Sequence, residues 1–199
     1  MMATTHALFG MLLGAVALFV APEFAPVAIA AGAAGGLFPD LDLPLPGVHR
    51  KTLHFPVYNA FAALPAVALA ALAPTTLTVA AAAFLAAAAA HAASDALGGG
   101  LELRPWEATS ERAVYDHFRG RWIHPRRLIR YDGAPEDLLL AAALAVPAAA
   151  YDRLSQFVAL ALLGVSVGYV ALRKPLVDAG ESLVERLPDG VRARLPISI

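Results

Sequence analysis

No lysine or arginine occurs before Arg50, and that opening stretch is almost unbroken apolar sequence, interrupted at Ala21-Pro22 and at Phe38-Pro39-Asp40-Leu41-Asp42. Apolar runs return after it. Over 199 residues the chain is 59% hydrophobic and 16% charged, with a mean hydropathy of +0.63, outside the range of soluble domains. The pattern predicts an all-α fold, a polytopic membrane bundle of about six apolar helices with an Arg-rich loop.

The segments follow from their breakers. Thr4 and Thr5 offer caps for a helix over about 6–20, and a Gly/Ala-rich helix follows over 23–38, with small residues suited to close packing in membranes. Thr52 caps a third helix over 53–73, and Thr75-Thr76 a fourth over 77–97 that ends at Gly98-Gly99-Gly100. Residues 137–150 and 154–172 are the last apolar segments, and Arg173-Lys174-Pro175 ends the second of them. A spanning helix needs about 17–20 apolar residues, so the second and fifth segments are short. Residues 1–175 thus read as a membrane-embedded domain that includes an interfacial polar loop, 98–136. Residues 176–199 read as an amphipathic tail, with Val177, Leu183, Val184 and Leu187 at helical spacing.

Charge then orients the chain. Six crossings with both termini in the cytoplasm put 1–5, 39–53, 98–136 and 173–199 inside, and these hold 14 of the 15 Lys and Arg, all but Arg153. The expected location is the inner or plasma membrane, with membrane lipids as partners and no nucleic acid expected. The first segment lacks the basic start of a cleaved signal peptide. With no cysteine in the chain, strong metal ligands are limited to imidazole and carboxylate.

Those ligands gather at one membrane face in this topology. His6 opens the first helix, Asp40 and Asp42 follow the second in what reads as an extended segment, and His54 opens the third. His91 and Asp95, four apart, share a face at the end of the fourth. A carboxylate in a last helical turn is disfavoured, so Asp95 calls for a cation, supplied by a metal or by an Arg from a nearby loop. His6, Asp40, Asp42, His54, His91 and Asp95 are the candidate metal ligands. His49 and Arg50 are candidate catalytic residues, with Arg50 placed to hold an anionic group such as a phosphate. The donor set suits zinc first, with manganese or iron as alternatives, and its size allows one or two ions. His117 and His124 read as solvated or headgroup-level residues.

Taken in order, Thr5-His6, Gly36-Leu37-Phe38-Pro39-Asp40-Leu41-Asp42, His49-Arg50-Lys51-Thr52-Leu53-His54, His91-Ala92-Ala93-Ser94-Asp95 and Leu103-Arg104-Pro105-Trp106 resemble the motifs of the LexA-binding, inner membrane-associated metal-dependent hydrolase family. The resemblance covers roughly the first 106 residues. It implies a multi-spanning membrane hydrolase whose metal site is formed by these His and Asp positions. Phe55-Pro56 and Gly98-Gly99-Gly100 depart from that pattern where substrate contacts are expected. The functional expectation is a metal-dependent hydrolase acting on a lipid or phosphoester-type amphiphile through a metal-activated water. The alternatives are a membrane hydrolase of ceramidase type, whose second HxxxH pair is missing, and a non-catalytic metal-binding scaffold or transporter.

Overall fold

The computed structural model describes residues 1–43 and 49–188, and each long apolar run within them is helical. Pro44, Pro46 and the tail residues 189–199 lie outside the described residues. The helices are α1 (Ala3–Ala15), α2 (Ala17–Val20), α3 (Ala25–Leu37), α4 (Pro56–Leu72), α5 (Thr76–Ser94), α6 (Pro135–Ala148) and α7 (Arg153–Glu185). One antiparallel hairpin, β1 (Val114–Asp116) with β2 (Arg121–Ile123), pairs Val114 with Ile123 in the polar loop. The fold is all-α apart from that hairpin.

Among the described residues four helical stretches are long and apolar enough to cross a membrane: Ala3–Val20, Pro22–Asp42, Thr76–Leu97 and Arg153–Glu185. The second segment is therefore not short, because 3-10 turns at Pro22–Phe24 and Phe38–Asp42 extend α3 at both ends to 21 residues. The third segment is the one that shrinks. Phe55 precedes Pro56 and stands outside the helical region at φ −120°, ψ 74°, so α4 begins at Pro56 without the Thr52 cap and has 17 residues. The expected break at Arg173-Lys174-Pro175 does not occur either. Arg104 pairs with Asp178 and Glu181, and Arg173 with Asp132, so both sides of Pro175 are tied to the loop and α7 runs on for 33 residues.

Glycine sets how closely the N-terminal helices lie. A Cβ at Gly10 would fall 2.0 Å from the Gly32 carbonyl oxygen, and one at Gly36 would fall 2.3 Å from that of His6. On its other side α3 meets α5 just as closely, with Gly35 against the backbone of Phe84. Backbones in van der Waals contact are the close packing that small residues permit in lipid. α3 is thus clamped between α1 and α5, which brings the start of α1 to the ends of α3 and α5.

A buried carboxylate fixes that end of α1. Asp137, fully buried in the first turn of α6, accepts from the Met2 N–H and the Thr5 hydroxyl at 2.8 Å each, and from the Gly133 N–H at 3.1 Å. Thr5 does not cap its own helix. Instead a carboxylate meets the positive end of α1 and takes up one of its free amide hydrogens. Thr75 does cap α5, in a reciprocal box with Thr78.

Candidate metal centre

Each ligand-bearing residue stands at the end of an element. His6 lies in the opening turns of α1, Asp40 and Asp42 in the 3-10 turn after α3, and His91 and Asp95 at the end of α5. His54 precedes α4 rather than opening it. The Asp40–Asp42 segment is a 3-10 turn and not extended, and at about three residues per turn its two carboxylates diverge. They meet opposite edges of one imidazole. Asp40 faces Nε2 of His54 and Asp42 faces Nδ1.

All eight expected residues fall in one cluster. Nε2 of His54 is 3.3 Å from Asp95 Oδ2 and 3.7 Å from Asp40 Oδ1, and Nε2 of His91 is 3.5 Å from each of the same two oxygens. These separations are longer than charge-assisted hydrogen bonds, which run about 2.7–2.9 Å. They are close to the spacing of donors that share one ion: about 3.3–3.6 Å for bonds of about 2.0–2.2 Å to a four-coordinate zinc. His54 Nε2, His91 Nε2 and Asp95 Oδ2 are buried and have no hydrogen-bond partner. Three orphaned atoms converging on one point fit a divalent cation.

The outer contacts aim those atoms inward. Nδ1 of His91 donates to the Gly36 carbonyl at 2.6 Å, so in the neutral ring Nε2 carries the lone pair. Nδ1 of His54 donates to Asp42 Oδ2 at 3.3 Å, and the Leu53 N–H donates to the same oxygen at 3.3 Å. Such second contacts hold ring orientation in metal sites. His6 stacks on His91 with centroids 3.6 Å apart, and its Nε2 is 3.1 Å from Asp95 Oδ1, turning the other oxygen of Asp95 towards the centre. His6 with His91 and Asp95, Asp40 with His54 and His91, and Asp42 with His49 and His54 each form a group whose ligand atoms lie within 4.8 Å of one another, so His6 and Asp42 stand among the candidate ligands. The Arg foreseen near Asp95 is Arg50, whose Nε is 3.4 Å from Asp95 Oδ2 and whose Nη1 donates to the Gly99 carbonyl at 2.9 Å. Arg50 adopts a left-handed φ of 58°, a strained conformation for a non-glycine residue.

A pocket of about 420 Å³ is lined by Asp40, His49 and Arg50 of the cluster and by Val165, Tyr169 and Arg173 of α7. His49 gives Nδ1 to Asp42 Oδ1 at 2.7 Å, and burial draws its pKa below the usual imidazole value against that hydrogen bond. Burial also opposes charge on His54, but the Asp40 and Asp95 carboxylates outweigh it and raise its pKa. No family model, curated protein or solved structure matches this chain.

The remaining histidines stand apart from the cluster. The His117 ring packs against Phe55 and Tyr115, with centroids 4.5 and 4.9 Å away, and His124 pairs with Glu111 while 75% exposed. Sequence reasoning missed Asp137 and Glu102, the first at the start of α1 and the second in the pocket wall. No local pattern marks either.

Proposed function

We propose that the chain is a membrane-bound metal-dependent hydrolase, with His54, His91, Asp40 and Asp95 holding a divalent ion, zinc first, at the cytoplasmic face. The observation that carries this reading is the set of four close donors, three of whose atoms are buried without a hydrogen-bond partner. When bound, such an ion supplies Lewis acidity and lowers the pKa of water to near neutrality. His54, His91 and Asp95 are at most 1% exposed, whereas the Asp40 side chain is 12% exposed and lines the pocket. Asp40 is thus the member through which substrate meets the site. His49, oriented by Asp42, offers its second ring nitrogen for proton transfer in the pocket, and Arg50 is placed beside it to hold an anionic group. The ordered motif set that resembles the LexA-binding, inner membrane-associated hydrolases agrees with this reading. A lipid or other amphiphile is the substrate class that a pocket walled by a membrane-length helix suits.

A non-catalytic metal-binding scaffold is the second reading, favoured by the same count of donors, since four protein ligands close a shell as structural zinc sites do. Metal content of purified protein, combined with turnover on a panel of lipids and phosphoesters, separates the two. The hydrolase reading expects stoichiometric metal, lost in His91→Ala and Asp95→Ala, with turnover in the wild type. Metal without turnover across the panel supports the scaffold. A wild type that takes up no metal on titration sinks both.

A further inference from the structure

The start of α4 and the hairpin carry a row of aromatic rings in contact. Tyr58, Phe55, His117, Tyr115 and Trp122 follow one another with centroids 6.5, 4.5, 4.9 and 5.4 Å apart. The register sets Tyr115 opposite Trp122, so their rings share one face of the hairpin. Two exposed cations stand over that face: Lys51 Nζ is 4.7 Å from the Tyr115 centroid, and the Arg112 guanidinium carbon is 5.8 Å from that of Trp122. Neither has a counter-ion. The carboxylates of the loop are engaged elsewhere, Asp116 with Arg119, Glu111 with His124 and Arg127, Glu107 with Arg104, and both oxygens of Glu102 are closed to solvent. Among the described residues no carboxylate lies within ion-pair distance of Lys51, Arg112 or the exposed Arg121.

The row leads into apolar surface. Phe118, 60% exposed at the hairpin turn, lies 6.5 Å from Phe61 of α4, and α4 continues with Leu64, Val67 and Leu72, all exposed. An open apolar helix headed by rings and cations has the profile of a lipid contact at headgroup depth, where aromatic and basic side chains collect. A lipid phosphate supplies the anion that the two cations lack. Single-stranded nucleic acid also stacks on rings beside cations, but it leaves the bare apolar length of α4 uncovered. We propose that this face seats anionic lipid headgroups at Lys51 and Arg112, with the rings at headgroup level and the acyl chains along α4. The proposal rests on the membrane reading of the chain and is independent of the hydrolase reading. The seat adjoins the candidate site, because the Tyr115 N–H donates to the Arg50 carbonyl at 2.9 Å.

The test uses the full chain with Trp106→Phe, which leaves Trp122 as the single tryptophan. It is placed in phosphatidylcholine nanodiscs that contain a small, equal fraction of phosphatidylglycerol or phosphatidylcholine brominated near the top of one acyl chain. Bromine quenches a neighbouring indole, so the two quenching curves give the relative association of each lipid with this face. Phosphatidylglycerol is expected to be preferred by at least about fivefold, the share of one cation near a membrane surface, and the preference should fall as salt rises. Lys51→Gln combined with Arg112→Gln should bring the two lipids to parity at unchanged far-UV helicity. Lys174→Gln, which removes a cation beside Trp106 instead, should leave the preference as it is. Equal quenching by the two lipids, no quenching by either, a preference indifferent to salt, one that survives the double substitution, or one lost equally in Lys174→Gln overturns the proposal. So does a single-stranded oligonucleotide that binds the parent chain and not the double variant, which would give the face to nucleic acid. A chain that takes up no metal counts against the hydrolase reading alone, because the quenching comparison does not involve the metal centre.

Discussion

Replacing Gly36 by alanine tests whether helix contact and metal binding are one property. The added methyl would land 2.3 Å from the His6 carbonyl oxygen, 2.8 Å from its carbon and 3.2 Å from the Ala7 Cα, all of them backbone atoms. Relief to an ordinary contact of about 3.5 Å requires α1 and α3 to part by about 1 Å. The same displacement acts on the outer contacts of the metal centre. Because α3 is held as closely against α5, the parting falls on α1, and His6 Nε2, now 3.1 Å from Asp95 Oδ1, would draw back towards about 4 Å, beyond hydrogen-bonding range. Overpacking costs about 1–3 kcal/mol, a lost buried hydrogen bond about 1–3 kcal/mol more, and better helix propensity returns about 1 kcal/mol. The net is a destabilisation of roughly 1–5 kcal/mol, a fall in Tm of about 2–20 °C, with metal affinity about 10–100-fold weaker. Thermal unfolding in detergent and competition with a chromophoric chelator read the two effects. Gly164→Ala is the control, because nothing lies within 4 Å of a Cβ there. If Gly36→Ala melts with Gly164→Ala and binds zinc like the wild type, the close contact does not position the site.

Two further outcomes concern stability away from the metal. Thr75→Ala removes the hydroxyl that accepts from the Thr78 N–H at 3.2 Å and should cost about 1 kcal/mol at unchanged metal affinity, since His91 stands at the opposite end of the helix; an unchanged Tm would show that the cap contributes nothing. The Arg130 guanidinium holds the Glu136 carboxyl down to about 2 from its usual 4.5. The stability linked to this depressed pKa is fully present above about pH 4.5 and is lost as pH falls towards 2. The Tm difference between wild type and Glu136→Gln should therefore shrink between pH 5 and roughly pH 2; a constant difference over that interval would contradict the linkage.

The site was more legible than the fold around it. His91 and Asp95 share a helix, and the 3.6-residue period alone puts them on one face, while the Asp40–Asp42 and His49–His54 pairs sit in single short turns. Periodicity also located the apolar runs. It failed where the deciding partner was distant. Asp137 accepts from Met2 and Thr5, 135 and 132 positions away, and no local rule finds such a pair. The third segment started late because proline excludes helix at Phe55, a rule about one residue rather than about a period. At Pro175 the local rule pointed the wrong way. Proline marks a stop, but Arg104 and Arg173 hold the helix on both sides of it through carboxylates whose role only the folded loop reveals. The hairpin at 114–123 was invisible because two three-residue strands carry too little alternation to stand out from a loop.

At about 1.5 Å per residue, a rod the length of α7 measures about 50 Å against a hydrocarbon slab of about 30 Å. Val165, Tyr169 and Arg173 wall the pocket on one stretch of it, and Asp178 and Glu181 grip Arg104 on another. One rod thus joins the pocket wall to the acidic grip on Arg104, so any tilt of it would carry both together.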